Sequence, residues 1–442
     1  MAGGVNAGAP LEAEIVGLAH DGRGIARLGG KAVFIDGALP GERVRFCVFK
    51  RRRHMDEARL LEVLVPSADR VQPKCEHFGV CGGCALQHLA PAAQLAAKQS
   101  QLLEDLQRIG RVRPQRILEP LAGPAFGYRR RARLGVKLVH KKGRVLAGFR
   151  ERRGAYLADI RRCEVLIEEL NSLPQDLAVL AQTLSIREHL PQVEVAAGDE
   201  AAALVFRVLA PLGEEDRAKL EAFGARRGVQ IYVQSGGIDT IRPLHPTQAA
   251  LSYSLDLPPS PLQIAFGPND FIQVNRDLNR LLVAAAMEQL EAGAGDTVLD
   301  LFCGLGNFTL PLARRAARVV GVEGDAGLVA KAEGNSLRNG IANTRFIAAE
   351  LLEAHPLGSW ASEVYDRVLL DPPRAGARAL MERMSHWGPR RVVYISCHPA
   401  SLARDAGILV QSQGFDLIAA GVMDMFPHTT HVESMAVFEA RA

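Results

Sequence analysis

No stretch of this 442-residue chain is apolar for long enough to span a bilayer, so no membrane role is expected. The first residues, Met1-Ala-Gly-Gly-Val, have neither a charged leader region nor an apolar core. They therefore do not read as a secretory signal, and a cytoplasmic protein is expected. Internal repeats and low-complexity segments are also missing. Cysteine is sparse, with seven in all. In a reducing compartment these are not expected to pair, which leaves metal ligation or catalysis as their default use. The net charge is only +4, so the balance of charge says less than its distribution. Basic residues cluster at Lys50 to His54, Arg129 to Arg133, Lys141 to Arg144 and Arg150 to Arg153. The second half is closer to balanced. The front of the chain is thus expected to meet phosphate.

The length calls for two or three domains, and a hydrophobic content of 48% is enough to give each a core. Residues 1–10 are small and mostly uncharged, and read as a disordered tail. From Leu11 to about Ser67, short β-rich runs alternate with glycine turns such as His20-Asp-Gly-Arg-Gly24 and Gly29-Gly30. That rhythm suggests a small barrel of the oligonucleotide-binding kind, with the run from Lys50 to Arg53 in a loop between its last strands. Cys47 falls mid-strand and reads as core. The segment resembles a TRAM domain, which implies RNA binding.

Next comes Cys75-x5-Cys81-x2-Cys84, with Gly82 and Gly83 allowing a tight fold. Three cysteines within ten positions point to zinc or an iron–sulfur centre, and spacing alone does not separate the two. The radical-type C-x3-C-x2-C is absent. Cys163 is the best available fourth ligand. A helix is expected from Pro91 to Ile109, stopped by Gly110. From Tyr128 to about Leu262, strand-like runs and one helix, Glu214 to Arg226, suggest an α+β middle domain.

From Asp296 the pattern becomes alternating strand and helix. Five βα units precede two strands, Phe415 to Met423 and His431 to Phe438, joined without a helix. Helices are expected after Gly306, Asp325, Gly376 and Pro399, with a short one after the third strand. The expected fold class is therefore multidomain α/β: an OB-like barrel, an α+β middle domain and a seven-stranded Rossmann-like sheet. The expected domains are 11–68, then 69–90 with 126–262, then 91–125 with 263–442.

The chemistry collects where open sheets bind ligands, at the carboxyl ends of the strands. The first strand ends in Asp300-Leu-Phe302-Cys-Gly304-Leu-Gly306-Asn307. Glu323 ends the second strand about 20 residues on, where a ribose would be held. The third glycine of a dinucleotide fingerprint is missing, because position 309 is Thr. A single nucleoside fits better than a dinucleotide, and the arrangement resembles S-adenosylmethionine-dependent methyltransferases. The fourth strand ends in Asp371-Pro-Pro-Arg-Ala-Gly376. The fifth, Val392-Val-Tyr-Ile-Ser396, delivers Cys397 at its end. A lone cysteine there reads first as a small buried hydrophobe. Beside a methyl donor, it suggests covalent attack on C6 of a pyrimidine so that C5 can accept methyl. Glu433 is the expected base for the C5 proton, ahead of His428 and His431. The target base would have to leave its stack.

Asp371-Pro-Pro-Arg-x-Gly, Ser396-Cys-His-Pro and Asp424-Met-Phe-Pro-His-Thr-x-His-Val-Glu433 resemble motifs of the RNA uracil-C5-methyltransferases. The barrel and cysteine set resemble the branch acting on large-subunit (23S) ribosomal RNA, which implies position 1939 as target. The resemblance implies a [4Fe–4S] cluster on Cys75, Cys81, Cys84 and Cys163, Cys397 as nucleophile and Glu433 as base. It implies cofactor contacts from Gln273, Phe302, Asn307, Glu323 and Asp371, and packing of the Pro91–Ile109 helix with the C-terminal domain. Where relatives often carry Asn, this chain reads Ala349-Glu350-Leu351, so Glu350 is the expected contact there. A monomer is expected. The rivals are a transfer-RNA uridine enzyme, whose branch was expected to be shorter and to lack barrel and cysteines, and a cytosine-C5 enzyme. The latter would carry a second cysteine in the proline turn, which is absent. A non-catalytic iron–sulfur RNA-binding protein is the rival from another class.

Overall fold

The computed structural model describes residues 9–246, 250–352 and 358–441. Of the expected tail, residues 1–8 lie outside the described residues. The chain divides into two compact units. One comprises residues 1–101, 150–158 and 427–430, and the other 102–149, 159–426 and 431–442.

The first unit is built on six strands: β1 (Leu11–Glu14), β2 (Gly17–Leu18), β3 (Gly24–Leu28), β4 (Lys31–Asp36), β5 (Arg43–Arg51) and β6 (Met55–Val65). Their order is β1-β5-β6-β4-β3-β2. Side chains of a strand alternate between faces. In β5 this buries Val44, Phe46 and Val48 with Ile15, Val33 and Ile35. Full burial of a side chain such as Phe46 stabilises by about 1.5–3 kcal/mol. Cys47 falls on the opposite face of β5 and is only partly buried, so it is not the core residue its position suggested. Lys50 and Arg51 still belong to β5, so the turn is narrower than the basic run.

The cysteine loop belongs to the same unit. Cys81 N–H donates to His77 O (2.9 Å), and Gly82 N–H donates to Arg150 O (2.8 Å). A Cβ on Gly82 would sit 3.0 Å from Arg150 O and 3.2 Å from Arg152 Cα, so only glycine permits this approach. His428 is also here. Its carbonyl accepts from Ala85 N (2.8 Å) and Leu86 N (2.9 Å), and its own N–H donates to Gln94 Oε1 (2.8 Å). It is buried, with Nδ1 3.1 Å from Gln94 Nε2. These contacts make His428 a packing residue of the first unit.

α1 (Pro91–Asp105) begins in the first unit and ends in the second. β7 (Arg116–Ile117) follows, then β8 (Arg131–Val139), β9 (Arg144–Gly148), α2 (Leu173–Thr183), β10 (Gln192–Ala197) and β11 (Ala202–Arg207). α3 (Glu214–Arg227) carries acids in its first turn and arginines in its last, matching the helix dipole. It crosses over from β11 to the parallel β12 (Val229–Gln234), and β13 (Ile241–His245) completes a sheet ordered β13-β12-β11-β10-β8-β9. Much of the Arg129–Arg133 run is used internally. Arg130 is 2% exposed, and Arg131 donates to the carbonyls of Asp270 and Asn269. Arg133 keeps an exposed side chain, paired with Glu194 at 2.9 Å. The expectation that this run meets phosphate fails for Arg130, which is buried, and for Arg131, whose donors are taken by backbone carbonyls inside the fold.

A hairpin, β14 (Leu251–Leu255) and β15 (Leu262–Phe266), leads to α4 (Arg276–Leu290). Then come β16 (Thr297–Leu301), α5 (Thr309–Ala313), β17 (Arg318–Glu323), α6 (Ala326–Arg338), β18 (Thr344–Ala348) and β19 (Arg367–Leu370). The helix expected after Gly376 is split into α7 (Arg378–Met381) and α8 (Met384–Trp387). β20 (Arg391–Ser396), α9 (Pro399–Ser412), β21 (Phe415–Met423) and β22 (Glu433–Ala440) finish the chain. After β18 the described residues hold only a short 3-10 turn, Ser359–Ser362. The sheet order is β18-β17-β16-β19-β20-β22-β21-β7. β22 is antiparallel and inserts between β20 and β21. The sheet has eight strands rather than the expected seven, because β7 pairs parallel with β21. β7 is two residues long and exposed on both, so it leaves no periodic trace in the sequence.

Candidate active site

All residues of this site belong to the second unit. β16 is buried over most of its length and stops at Leu301, where the chain turns through Phe302 (φ 63°), Gly304 (φ 53°) and Gly306 (φ 91°). Three left-handed residues in five make a turn whose backbone a ligand can approach. Thr309, in place of a third glycine, donates its hydroxyl to Asp300 Oδ2 at 2.5 Å. The other oxygen of Asp300 is buried without a partner, and burial pushes this carboxyl up to about 7. Glu323, at the end of β17, accepts from Gly304 N at 3.1 Å and Asp325 N at 3.1 Å, which ties the two strand ends together. Cys303 is buried and its thiol is pushed well up, so it is an inert packing group.

Asp371 follows β19. The turn after it is pinned from α9: Asp405 Oδ2 accepts from Ala377 N (2.8 Å) and Tyr394 OH (2.7 Å), and Arg404 donates to Ala375 O (2.9 Å). Gly376 sits at φ 79°, and a Cβ there would lie 2.6 Å from Asp405 Oδ2, so the turn requires glycine. Cys397 lies between β20 and α9. Ser434 donates to Ser396 O at 3.1 Å, and Ser396 Oγ accepts from His398 N at 3.1 Å. His398 caps α9, accepting from Ser401 N, and Pro399 opens the helix. Cys397 thus immediately precedes the N-cap of α9.

These strand ends surround a cavity of about 700 Å³. Cys397, Glu433, Asp371 and Gln273 line it, as do Phe302, Gly304, Asn307, Glu323 and Glu350. Gly306 shapes the turn without lining the cavity. Gln273 Nε2 lies 3.4 Å from Asp371 Oδ2. Glu350 turns its carboxylate to its own loop, accepting from Leu351 N (2.9 Å) and Leu352 N (2.8 Å). His431 lines the cavity next to Phe426. Phe271 and Tyr253 also line it and were missed from sequence. Phe271 stands two residues before Gln273 in Phe271-Ile-Gln-Val-Asn275, and that proximity could have drawn attention to it. Tyr253 sits in an ordinary alternating strand and left no signal.

Three acidic or thiol groups in this cavity are hard to ionise. Burial pushes Asp371 up to about 7. Burial and then the Asp371 charge push Glu433 well above the usual carboxylate range. Burial, then Glu433 and Asp371, push the Cys397 thiol up to about 11, against a smaller opposing pull from Arg374. A cluster of perturbed acidic groups in one cavity marks a candidate functional site.

Cys75, Cys81 and Cys84 are partly buried in the first unit, and Cys163 is buried in the second. Gly83 N–H donates to Cys81 Sγ at 3.4 Å, a contact suited to a thiolate. Among the described residues, no group of three or more His, Cys, Asp or Glu side chains is gathered closely enough to hold a metal ion. No described helix is long and apolar enough to cross a membrane.

A strand-end cavity with a glycine turn, an acidic proline turn and a thiol defines a methyltransferase fold, and the comparisons agree. A family profile described as tRNA (Uracil-5-)-methyltransferase matches residues 91–441, and a TRAM domain profile matches residues 5–61. The chain belongs to the tRNA (uracil-5-)-methyltransferase family. Its relatives include the 23S rRNA (uracil(1939)-C(5))-methyltransferase RlmD of Stenotrophomonas maltophilia, 51% identical over 435 residues and 98% of each chain. RlmD of Nitrosococcus oceani is 52% identical over 97% of this chain and 96% of its own. Among solved structures, the tRNA (uracil-54, C5)-methyltransferase of Pyrococcus abyssi, bound to S-adenosyl-L-homocysteine, shares the fold. Its TM-score is 0.72 at 24% identity, covering 97% of this chain and all of its own.

Proposed function

We propose that this protein transfers a methyl group from S-adenosylmethionine to C5 of a uridine in 23S ribosomal RNA, at position 1939. The observation that carries the reading is a single one: Cys397 and Glu433 line the same cavity as the glycine turn and Asp371. Identity near 50% over the whole chain to RlmD supports the substrate.

S-adenosylmethionine would supply the methyl group and leave as S-adenosylhomocysteine. Arg374 favours the thiolate of Cys397, whose proton passes to water as the sulfur adds. The Cys397 sulfur adds to C6 of the flipped uracil, and C5 becomes nucleophilic and takes the methyl group. Glu433 then removes the C5 proton, the C5–C6 double bond re-forms and the sulfur leaves. Gln273 and Asp371 hold the ligands between them. His428, packed in the first unit, takes no part.

Cys75, Cys81, Cys84 and Cys163 are read as the ligands of a [4Fe–4S] cluster. The all-thiol donor set and the N–H donated to Cys81 support this. No reaction step runs through the cluster. Protein purified without oxygen should carry iron and sulfide in near-equal amounts; folded protein purified in that way without iron removes the assignment.

Nucleoside mass spectrometry with site mapping tests the substrate. Unmodified 23S ribosomal RNA and transfer RNA are each incubated with protein and S-adenosylmethionine. One 5-methyluridine at position 1939 is the expected product. A second reading, transfer RNA, draws on the archaeal enzyme, which shares the fold along nearly the full length of this chain. Chain length therefore does not separate the two substrates, and the substrate reading rests on the identity to RlmD. Methyl found only on transfer RNA would overturn the ribosomal assignment.

A further inference from the structure

Arg130 is among the most deeply buried charged side chains in the second unit, 2% exposed, and it lies outside the cavity wall. Its backbone is tied on both sides: its N–H donates to Val274 O (2.9 Å), and its carbonyl accepts from Ala197 N (2.9 Å). Its Nε–H donates to the carbonyl of Gln273 at 2.9 Å. The two terminal nitrogens are buried without a hydrogen-bond partner. The nearest carboxylate oxygen, Asp199 Oδ1, stands 3.9 Å off, beyond hydrogen-bond reach, while Asp199 Oδ2 accepts from Ser254 N (2.8 Å) and Oγ (2.6 Å). A guanidinium left this poorly paired destabilises the fold, so its retention calls for a use.

That use is visible on its face. The guanidinium carbon stacks 4.6 Å from the centre of the Tyr253 ring. At the far end of the ring, the Tyr253 hydroxyl donates to Asn307 Oδ1 at 2.9 Å. Asn307 also exchanges two amide hydrogen bonds with Asn279, both 3.0 Å. Asn307 Oδ1 thus accepts twice, and its amide has one orientation. One buried cation therefore acts on both walls of the cavity: directly on the Gln273 backbone, and through Tyr253 on Asn307 in the glycine turn.

We propose that Arg130 and Tyr253 are positioning residues for the methyl donor, setting the cavity's shape through Gln273 and Asn307. The proposal rests on reading this cavity as the S-adenosylmethionine site. Arg130 lies outside the cavity and Tyr253 presents its ring to it, so both act on the placement of binding residues and hence mainly on affinity for the donor.

The test is calorimetric binding of S-adenosylhomocysteine to the intact protein, together with steady-state kinetics in each substrate. Tyr253→Phe keeps the ring and its stacking but removes the hydroxyl. It is expected to weaken binding and raise KM for S-adenosylmethionine about fivefold to tenfold, while KM for RNA moves less than about twofold. Arg130→Lys cannot donate to Gln273 and cover the ring together, and should cost more, roughly tens of fold. Adding Tyr253→Phe to Asn307→Ala should bring no further loss. Unchanged binding in both single variants, or equal losses for both substrates with a lowered melting temperature, would overturn the proposal. Glu323→Gln separates the two readings. If it too leaves binding unchanged, the cavity is not the cofactor site; if it alone weakens binding, only the roles of Arg130 and Tyr253 fall.

Discussion

The barrel and the strand ends of the second unit use carboxylates in opposite ways. In the barrel, acids sit opposite bases. Glu12 is held below its ordinary range by its hydrogen bond to Arg45, and Asp56 by Lys31. Even Glu42, fully buried, is held down: burial works against its ionisation, but Arg70 and the Leu39 N–H outweigh it. At the strand ends of the second unit, Asp300 and Glu433 are buried and Asp371 partly buried, with no ion pair to any of them among the described residues, and all are pushed up. Paired acids mark where the fold is being held, and unpaired buried acids mark where it is kept ready for a charged ligand.

The largest expected effect comes from emptying the cavity of its reactive groups. Cys397→Ala should lower methyl transfer by at least about a thousandfold, read as label incorporated into RNA. Glu433→Gln should still form a protein–RNA adduct, resistant to denaturing gels, but release it slowly. Turnover by that variant at the native rate would take the base role away from Glu433. Next in size is a pair of stability changes with opposite dependence on pH. Glu42→Gln should destabilise by about 2–4 kcal/mol at pH 7, because Arg70 is left without its charge partner. A carboxyl with a depressed folded pKa contributes stability above its unfolded value, near 4.5, and loses it as pH falls through the folded one. The deficit of Glu42→Gln should therefore shrink on acidification.

Asp300 has the other sign. Its folded value, about 7, lies above the ordinary 3.8, so its contribution is full below 3.8 and is lost as pH rises through 7. Asp300→Asn should match the wild type near pH 4 and melt a few degrees higher at pH 8. A melting difference independent of pH would show that the carboxyl titrates normally. The smallest effect belongs to the exposed network of Arg43, Arg45 and Glu12. Glu12→Gln should leave the melting temperature unchanged within error, because solvent and salt screen such pairs. A clear loss there would blur the contrast between the units.

Local pattern made the strand-end chemistry legible. Cys397 ends a run of β-branched and aromatic residues, Asp371 is followed by two prolines, and Gly304 and Gly306 follow Asp300. Each signal is a few residues long and carries its own physical reason. What escaped depends on contacts distant in sequence. β7 exists because β21 offers it an edge, and nothing in Arg116-Ile117 announces that. Tyr253 matters through a hydroxyl bond to a residue 54 positions away. Arg130 looked like part of a phosphate-binding run, but its guanidinium is buried against a ring. Cys47 looked like core, but strand alternation turned it outward.

By itself the sequence determined the alternation of strands and helices after Asp296, the strand ends at which chemistry would collect, and the family motifs. These follow from residue-level preferences: β-branched runs, glycines that accept left-handed backbone, and prolines that end strands. Only the tertiary structure decided which charges face water and which are left alone in a low dielectric. The ionisation of Asp300, Asp371, Cys397 and Glu433 follows from that burial. Desolvation is a property of everything packed around a group, and no local stretch of sequence contains it.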